Sequence, residues 1–229
     1  MNQLTILMPC LNETKTLPGC IDQARRFLDR TGIQGEILIA DNGSTDGSPR
    51  LARELGARVI LVRRKGYGAA LRAGIRAADS PCVIMGDSDG SYDFAHLDGF
   101  WSALRDGADL VVGIRHFLPD SSPWLHRYVG VPVLSALGRQ AGHCQVQDFH
   151  CGLRGVNRER FLELGCRCTG MEFASEMILR ASRAGHRICQ VPTTLAPDGR
   201  QGPSHIRAFR DGLRHLRVLW NLRQPPKKE

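Results

Sequence analysis

The segment Cys82-Val83-Ile84-Met85-Gly86-Asp87-Ser88-Asp89-Gly90 runs from four apolar residues through a glycine into two carboxylates one residue apart. A short unbroken apolar run bounded by turn residues is the pattern of a strand buried on both faces. The same unit recurs outward along the chain, at Leu4–Met8, Glu36–Ala40, Arg58–Val62 and Leu110–Val112. Between these runs lie patterns with helical spacing, such as Leu17, Ile21, Ala24 and Leu28. Ser48 before Pro49 predicts an N-cap followed by proline at the first helical position. Strands alternating with helices require crossover connections, so the expected class is α/β with a mostly parallel sheet flanked by helices.

The second half is less regular. Helices are expected over about 124–141, 157–165, 171–184 and 204–220, a returning strand at Arg187–Val191, and a Pro/Gly/Ser-rich loop over 193–204. No repeat or composition break divides the chain. One domain over 1–222 with a short polar tail, 223–229, is the expected organisation.

Composition narrows the partners. The 229 residues are 42% hydrophobic and 24% charged, an ordinary globular balance that argues against wholesale disorder. The formal charge is +8, mostly from arginine, which favours anionic partners and bidentate phosphate contacts. No nucleic-acid-binding motif accompanies that charge, so nucleic acid is not an expected partner. No stretch of about 18 apolar residues exists to span a bilayer. Met1–Cys10 lacks the basic start and cleavage site of a secretory leader, so a cytoplasmic location is expected. The eight cysteines include no Cys-x-x-Cys pair. His143, Cys144, His150, Cys151, Cys166 and Cys168 are metal-ligand types at irregular spacing, so reduced thiols serving as small core residues are expected rather than zinc.

In an open parallel sheet, ligands sit beyond the carboxyl ends of the strands. Four successive strands here end in polar clusters: Pro9-Cys10-Leu11-Asn12-Glu13, Asp41-Asn42-Gly43-Ser44-Thr45-Asp46-Gly47, Arg63-Arg64-Lys65-Gly66-Tyr67-Gly68, and Asp87-Ser88-Asp89-Gly90. Asx turns explain any one cluster, but not four on one edge. Asp87 and Asp89 would repel each other unless a cation lay between them, and hard oxygen ligands suit Mg²⁺ or Mn²⁺ sharing its shell with substrate phosphates. The Gly66-x-Gly68 loop has a rival reading as a dinucleotide fingerprint, but Leu71 stands at the third glycine position. A glycine loop beside Arg64 and Lys65 would serve a nucleotide diphosphate equally well.

Taken in order, these clusters resemble the family 2 glycosyltransferases of GT-A fold. They are most similar to the polyprenol-phosphate (dolichol-phosphate) mannosyl- and glucosyltransferase branch. Asp148-Phe149-His150-Cys151-Gly152-Leu153-Arg154 and Met171-Glu172-Phe173-Ala174-Ser175-Glu176 extend the resemblance, which runs from Leu4 to about Leu219. It implies a nucleotide-sugar donor, GDP- or UDP-linked. Pro9, Asn12 and Glu13 would line the nucleoside pocket, and Asp41 with Gly43 would meet the base or ribose. Arg64 and Gly68 would close around the nucleotide. Asp87, Ser88 and Asp89 would face the donor, with Asp87 and Asp89 as the metal ligands. Arg154 and Arg200 would bind the acceptor phosphate or the leaving diphosphate.

The expected reaction is inverting displacement at the anomeric carbon, with metal and arginine stabilising the departing nucleoside diphosphate. A phosphate acceptor needs no general base, whereas a hydroxyl acceptor needs a carboxylate within reach. Glu172, Glu176 and Asp148 are the carboxylates available for that role or for contact with the sugar, and they stand unranked. A Gln-x-x-Arg-Trp processivity signature is absent, so a single transfer is expected. The acceptor expected from the resemblance is a polyprenyl phosphate at the cytosolic membrane face; the alternative is the same donor chemistry on a soluble acceptor hydroxyl.

Ile206, Phe209, Leu213, Leu216 and Trp220 recur at three- and four-residue spacing, with Arg207, Arg210, Arg214 and Arg217 beside them. Two readings stand. Either the stripe packs on the protein's own core, or the basic amphipathic helix 204–220 makes peripheral contact with the inner membrane face.

Overall fold

The computed structural model describes residues 2–121, 130–199 and 208–223. Seven strands form one sheet in the order β3-β2-β1-β4-β6-β5-β7. They are β1 (Leu4–Cys10), β2 (Gly35–Asp41), β3 (Arg58–Leu61), β4 (Cys82–Met85), β5 (Leu110–Phe117), β6 (Arg154–Asn157) and β7 (Ile188–Leu195). The helices are α1 (Leu17–Thr31), α2 (Ser48–Glu54), α3 (Tyr67–Ala77), α4 (Asp98–Arg105), α5 (Val131–Gly142), α6 (Arg158–Glu163), α7 (Phe173–Arg183) and α8 (Ala208–Arg223).

The chain steps outward from β1 through α1 and α2 to β3, then crosses back through α3 to β4 on the other side of β1. Right-handed crossovers in opposite directions put α1 and α2 on one face and α3 on the other. Contacts follow that division. α1 packs on α2 and its Arg30 pairs with Asp98 of α4, while α3 packs on α6 and α7, and α7 on α5 and α8. The order therefore reverses between β1 and β4, which opens a crevice at their carboxyl ends. Leu4, Ile6, Leu7 and Met8 of β1 and Val83, Ile84 and Met85 of β4 are fully buried, as strands covered on both faces must be.

Three sequence expectations change. Strand β6 was not foreseen, because Arg154-Gly155-Val156-Asn157 has one large apolar residue. It forms because β4 and β5 both offer it an antiparallel ladder, pairing Met85 with Arg154 and Leu110 with Val156. Gly47, not Ser48, is the N-cap of α2, and Ser48 is the first helical residue. Strand β7 continues to Leu195, so the expected loop begins three residues late; its segment 200–204 lies outside the described residues. Helices α5 and α8 begin at Val131 and Ala208, and the expected helical residues 124–129 and 204–207 lie outside the described residues, as does tail segment 224–229.

Candidate active site

Ser88 turns inward between its two carboxylate neighbours. Its hydroxyl donates to the Pro9 carbonyl at 2.7 Å, and its own carbonyl accepts from Thr16 Oγ1 at 2.7 Å. These two bonds stitch the end of β4 to the end of β1. Asp89 is 8% exposed, and its Oδ1 accepts from the Ser91 N–H and hydroxyl, at 3.0 and 2.6 Å. The segment that follows β7 closes over this turn, with Ala196 N–H donating to the Ser91 carbonyl and Gly199 N–H to the Asp89 carbonyl. The carboxylate of Asp87 is hydrogen-bonded by the phenol of half-buried Tyr67. Gly152 lies so near that a Cβ there would stand 2.5 Å from Asp87 Oδ2.

The first two loops are zipped together. Asn12, at φ 60°, donates its N–H to Ser44 Oγ and accepts from Thr45 N–H, both at 2.8 Å. Glu13 N–H donates to the buried Ser48 hydroxyl at 2.9 Å, and Thr14 N–H to Asp46 at 3.1 Å. Glu13 is itself buried, and one of its carboxylate oxygens accepts from Thr16 Oγ1. Asp41 closes its own turn by accepting from Gly43 and Ser44 N–H. The sequence reading gave Asn42 no role. In the fold its amide donates to the carbonyls of Val62 and Arg64 and accepts from Gly66 N–H, which sets the third loop against the second. Its place within the Asp41–Gly47 run was the only signal of that.

The Gly66-x-Gly68 loop packs against protein. Gly66 sits at φ 126°, and a Cβ at Gly68 would fall 2.5 Å from Phe173 Cβ and 2.9 Å from the Cys168 and Gly170 carbonyls. Gly68 thus serves close approach of α3 to the loop before α7, and the expected closure on a nucleotide does not match that position. Arg64 is exposed on the same loop.

The expected acceptor-binding arginine also takes another role. Arg154 is buried, and its Nε, Nη1 and Nη2 donate to the carbonyls of Cys151, Ala174 and Phe149 at 2.9, 2.7 and 2.7 Å. Burial lowers its pKa, and its donors hold the 149–151 turn to α7 rather than facing a ligand. Arg200 lies outside the described residues.

The three unranked carboxylates differ sharply. Asp148 is locked to Arg115 in the sheet. Both oxygens of Glu176 are occupied, by Arg167 and Cys168 N–H at 2.7–2.9 Å and by Arg180 Nε at 2.9 Å. Glu172 is buried, with Oε1 accepting from Gly170 N–H at 3.0 Å. Its Oε2 has no hydrogen-bond partner among the described residues. A Cβ at Gly170 would touch both that oxygen and Arg214 Nη1 of α8, which places the two groups at one spot.

The eight cysteines are free thiols, and burial pushes Cys10 to about 11 and Cys20 to about 12. Among the described residues no three Cys, His, Asp or Glu side chains converge as a metal cage. Asp87 and Asp89 supply hard oxygen donors at the crevice, the set that suits an Mg²⁺ or Mn²⁺ ion completing its shell with ligand phosphates and water.

Residues 5–165 match the model of the family described as Glycosyl transferase family 2. The chain belongs to glycosyl transferase family 2. It is 38% identical over 220 residues to a low-salt glycan biosynthesis hexosyltransferase, Agl6, of Haloferax volcanii, covering 94% of this chain and 52% of that protein. This chain thus spans about half the length of that relative. It is 30% identical over 193 residues to a dolichyl-phosphate hexose transferase of the same organism, covering 83% and 82% of the two chains. Among solved structures it superposes with a TM-score of 0.77 on glucosyl-3-phosphoglycerate synthase of Mycobacterium tuberculosis, bound to Mn²⁺, UDP and glucosyl-3-phosphoglycerate. That match covers 99% of this chain and 82% of the other at 22% identity, so the likeness is one of GT-A fold. The family 2 assignment and the GT-A fold agree with the expectations from sequence.

Proposed function

We propose that this family 2 chain transfers a hexose from a nucleotide-diphosphate sugar to a polyprenyl phosphate, by inverting displacement, at a membrane surface. The observation that carries the donor half is the carboxylate pair Asp87 and Asp89 at the switch-point crevice, tied through Ser88 to the Pro9–Glu13 loop. Asp87 and Asp89 would hold Mg²⁺ or Mn²⁺ on the donor diphosphate, and the ion would neutralise charge gathering on the leaving group. Asn12, Glu13, Asp41 and Gly43 shape the neighbouring loops into the wall for the nucleoside, and exposed Arg64 meets the diphosphate. Glu172, whose Oε2 has no hydrogen-bond partner among the described residues, is the carboxylate that contacts the sugar or acceptor; Asp148 and Glu176 support the walls.

The acceptor half rests on α8 and on the relative named a dolichyl-phosphate hexose transferase. His215 and Leu219 turn inward, while Leu213, Leu216 and Trp220 stand 53%, 43% and 61% exposed. Val133 and Leu137 of α5, which packs beside α8, are exposed too. An outward apolar stripe flanked by Arg214 and Arg217 has the composition of a helix lying in an anionic lipid interface. No helix among the described residues is long and apolar enough to cross a membrane.

The test is incubation with labelled nucleotide hexose, polyprenyl phosphate and Mn²⁺. Lipid-linked sugar, lost on chelation and in Asp89→Ala, is the expected result. Full transfer by Asp89→Ala would remove the metal role, and transfer only to soluble hydroxyls would replace the acceptor.

A further inference from the structure

A cavity of about 30 Å³ lies behind Asp87, lined among others by Tyr67, Asp87, His150, Gly152 and Met171. His150 Nε2 is shut off from solvent and has no hydrogen-bond partner among the described residues. Leaving a buried polar nitrogen unpaired costs on the order of 1–3 kcal/mol, so such atoms are normally satisfied by protein or by trapped water. A cavity of this size holds one water, provided that two to four polar groups face it. Asp87, Tyr67 and His150 all line it and carry the polar groups that requirement needs.

His150 is itself held firmly. Its backbone N–H donates to Asp148 Oδ1 at 3.0 Å, and its ring meets His215 of α8 edge-on, with centroids 4.7 Å apart. His215 is anchored in turn through Nδ1 to Ser175 Oγ at 2.9 Å. The imidazole therefore presents a fixed nitrogen to the cavity.

We infer that Tyr67 and His150 are positioning residues for Asp87, Tyr67 by a direct hydrogen bond and His150 through one water in this cavity. The inference rests on the proposed role of Asp87 as a ligand of the donor's metal. Two carboxylates one residue apart repel, and a free Asp87 side chain would swing from its neighbour and from the ion. Donors behind it hold the outward orientation before the ion arrives, so less ordering remains to be done on binding. Partners of this kind characteristically change metal affinity by about 10–100-fold when removed.

The experiment titrates Mn²⁺ into the chain saturated with UDP and, in parallel, with GDP, following free Mn²⁺ by electron paramagnetic resonance. Tyr67→Phe and His150→Leu are each expected to weaken Mn²⁺ binding by about 10–100-fold, with His150→Gln recovering part of the loss. Nucleotide affinity in chelator should stay within about twofold, because a general collapse of the pocket would lower both. Mn²⁺ affinity unchanged in Tyr67→Phe overturns the inference, since that variant removes only a hydroxyl and does not depend on how His150→Leu folds. A parallel fall in metal-free nucleotide affinity overturns it as well. Asp87→Ala separates the two levels: intact Mn²⁺ binding there defeats the metal role of Asp87 itself, whereas lost binding there with normal Tyr67→Phe defeats only the positioning role.

Discussion

The Arg115 guanidinium grips the Asp148 carboxylate with two parallel bonds, Nε to Oδ2 at 2.6 Å and Nη2 to Oδ1 at 2.9 Å, with the side chains only 6% and 7% exposed. The pair ties β5 to the turn that carries His150 and Gly152 behind the Asp87–Gly90 loop. Removing one partner of a buried pair strands the other charge and costs about 3–5 kcal/mol. Asp148→Ala is therefore expected to lower the melting temperature by roughly 6–20 °C for a chain of this size, read by calorimetry.

Acid should unfold the protein in two stages. Burial, with the charges of His215 and Arg115, pushes His150 down to about 3, so the ring is neutral in the fold. Unfolded, it titrates near 6.5. The unfolded chain binds the extra proton between those values, so this contribution is full above pH about 6.5 and is lost as pH falls toward 3. For Asp148, burial raises the carboxyl pKa, but the hydrogen bonds and charge of Arg115 outweigh it and hold the net value low. Its contribution is present above about pH 4 and lost below. Melting temperature followed from pH 7.5 to 3.5 should fall from about pH 6.5, and His150→Gln should flatten that first decline.

Glu172 and Glu176, one helical turn apart, should separate in kinetics. Glu176→Gln disturbs the cap on Arg167 and Cys168 N–H, with an expected loss of about 1–3 kcal/mol of stability and an unaltered pH–rate profile. Glu172→Gln should leave stability near that of the parent. Transfer to polyprenyl phosphate should drop by less than about tenfold in it, because a phosphate nucleophile needs no base; a loss of about 10²–10⁴ would mark Glu172 as a general base and a hydroxyl as the acceptor.

The outward face of α8 makes a separate prediction. Leu213→Ser with Trp220→Ser removes two exposed apolar side chains, so the fold should be unaffected. Burying such side chains in lipid contributes about 1.5–3 kcal/mol each, so binding to anionic vesicles should weaken by at least about tenfold in a sedimentation assay. Equal binding by parent and variant would reassign the stripe.

Much of the fold was legible in the residues. Runs such as Leu4–Met8 and Cys82–Met85 are buried on both faces, and their polar tails mark the ligand edge, because apolar runs and turn chemistry are local properties. β6 escaped notice because Arg154–Asn157 becomes a strand only between two neighbours from elsewhere in the chain.

The sequence by itself determined the family, the strand-and-turn frame and the carboxylates available to the crevice. The tertiary structure alone decided how those groups are used. Arg154 looks like a phosphate ligand until three carbonyls surround it, and Glu176 like a base until the Arg167 and Cys168 amides occupy it. Leu213 and Trp220 look fit for the protein's own core until His215 and Leu219 take the inward side of α8 and leave them exposed. The physical reason is common to all three. Residue type sets what a group can bind, but hydrogen-bond partners and exposure come from segments brought together by folding.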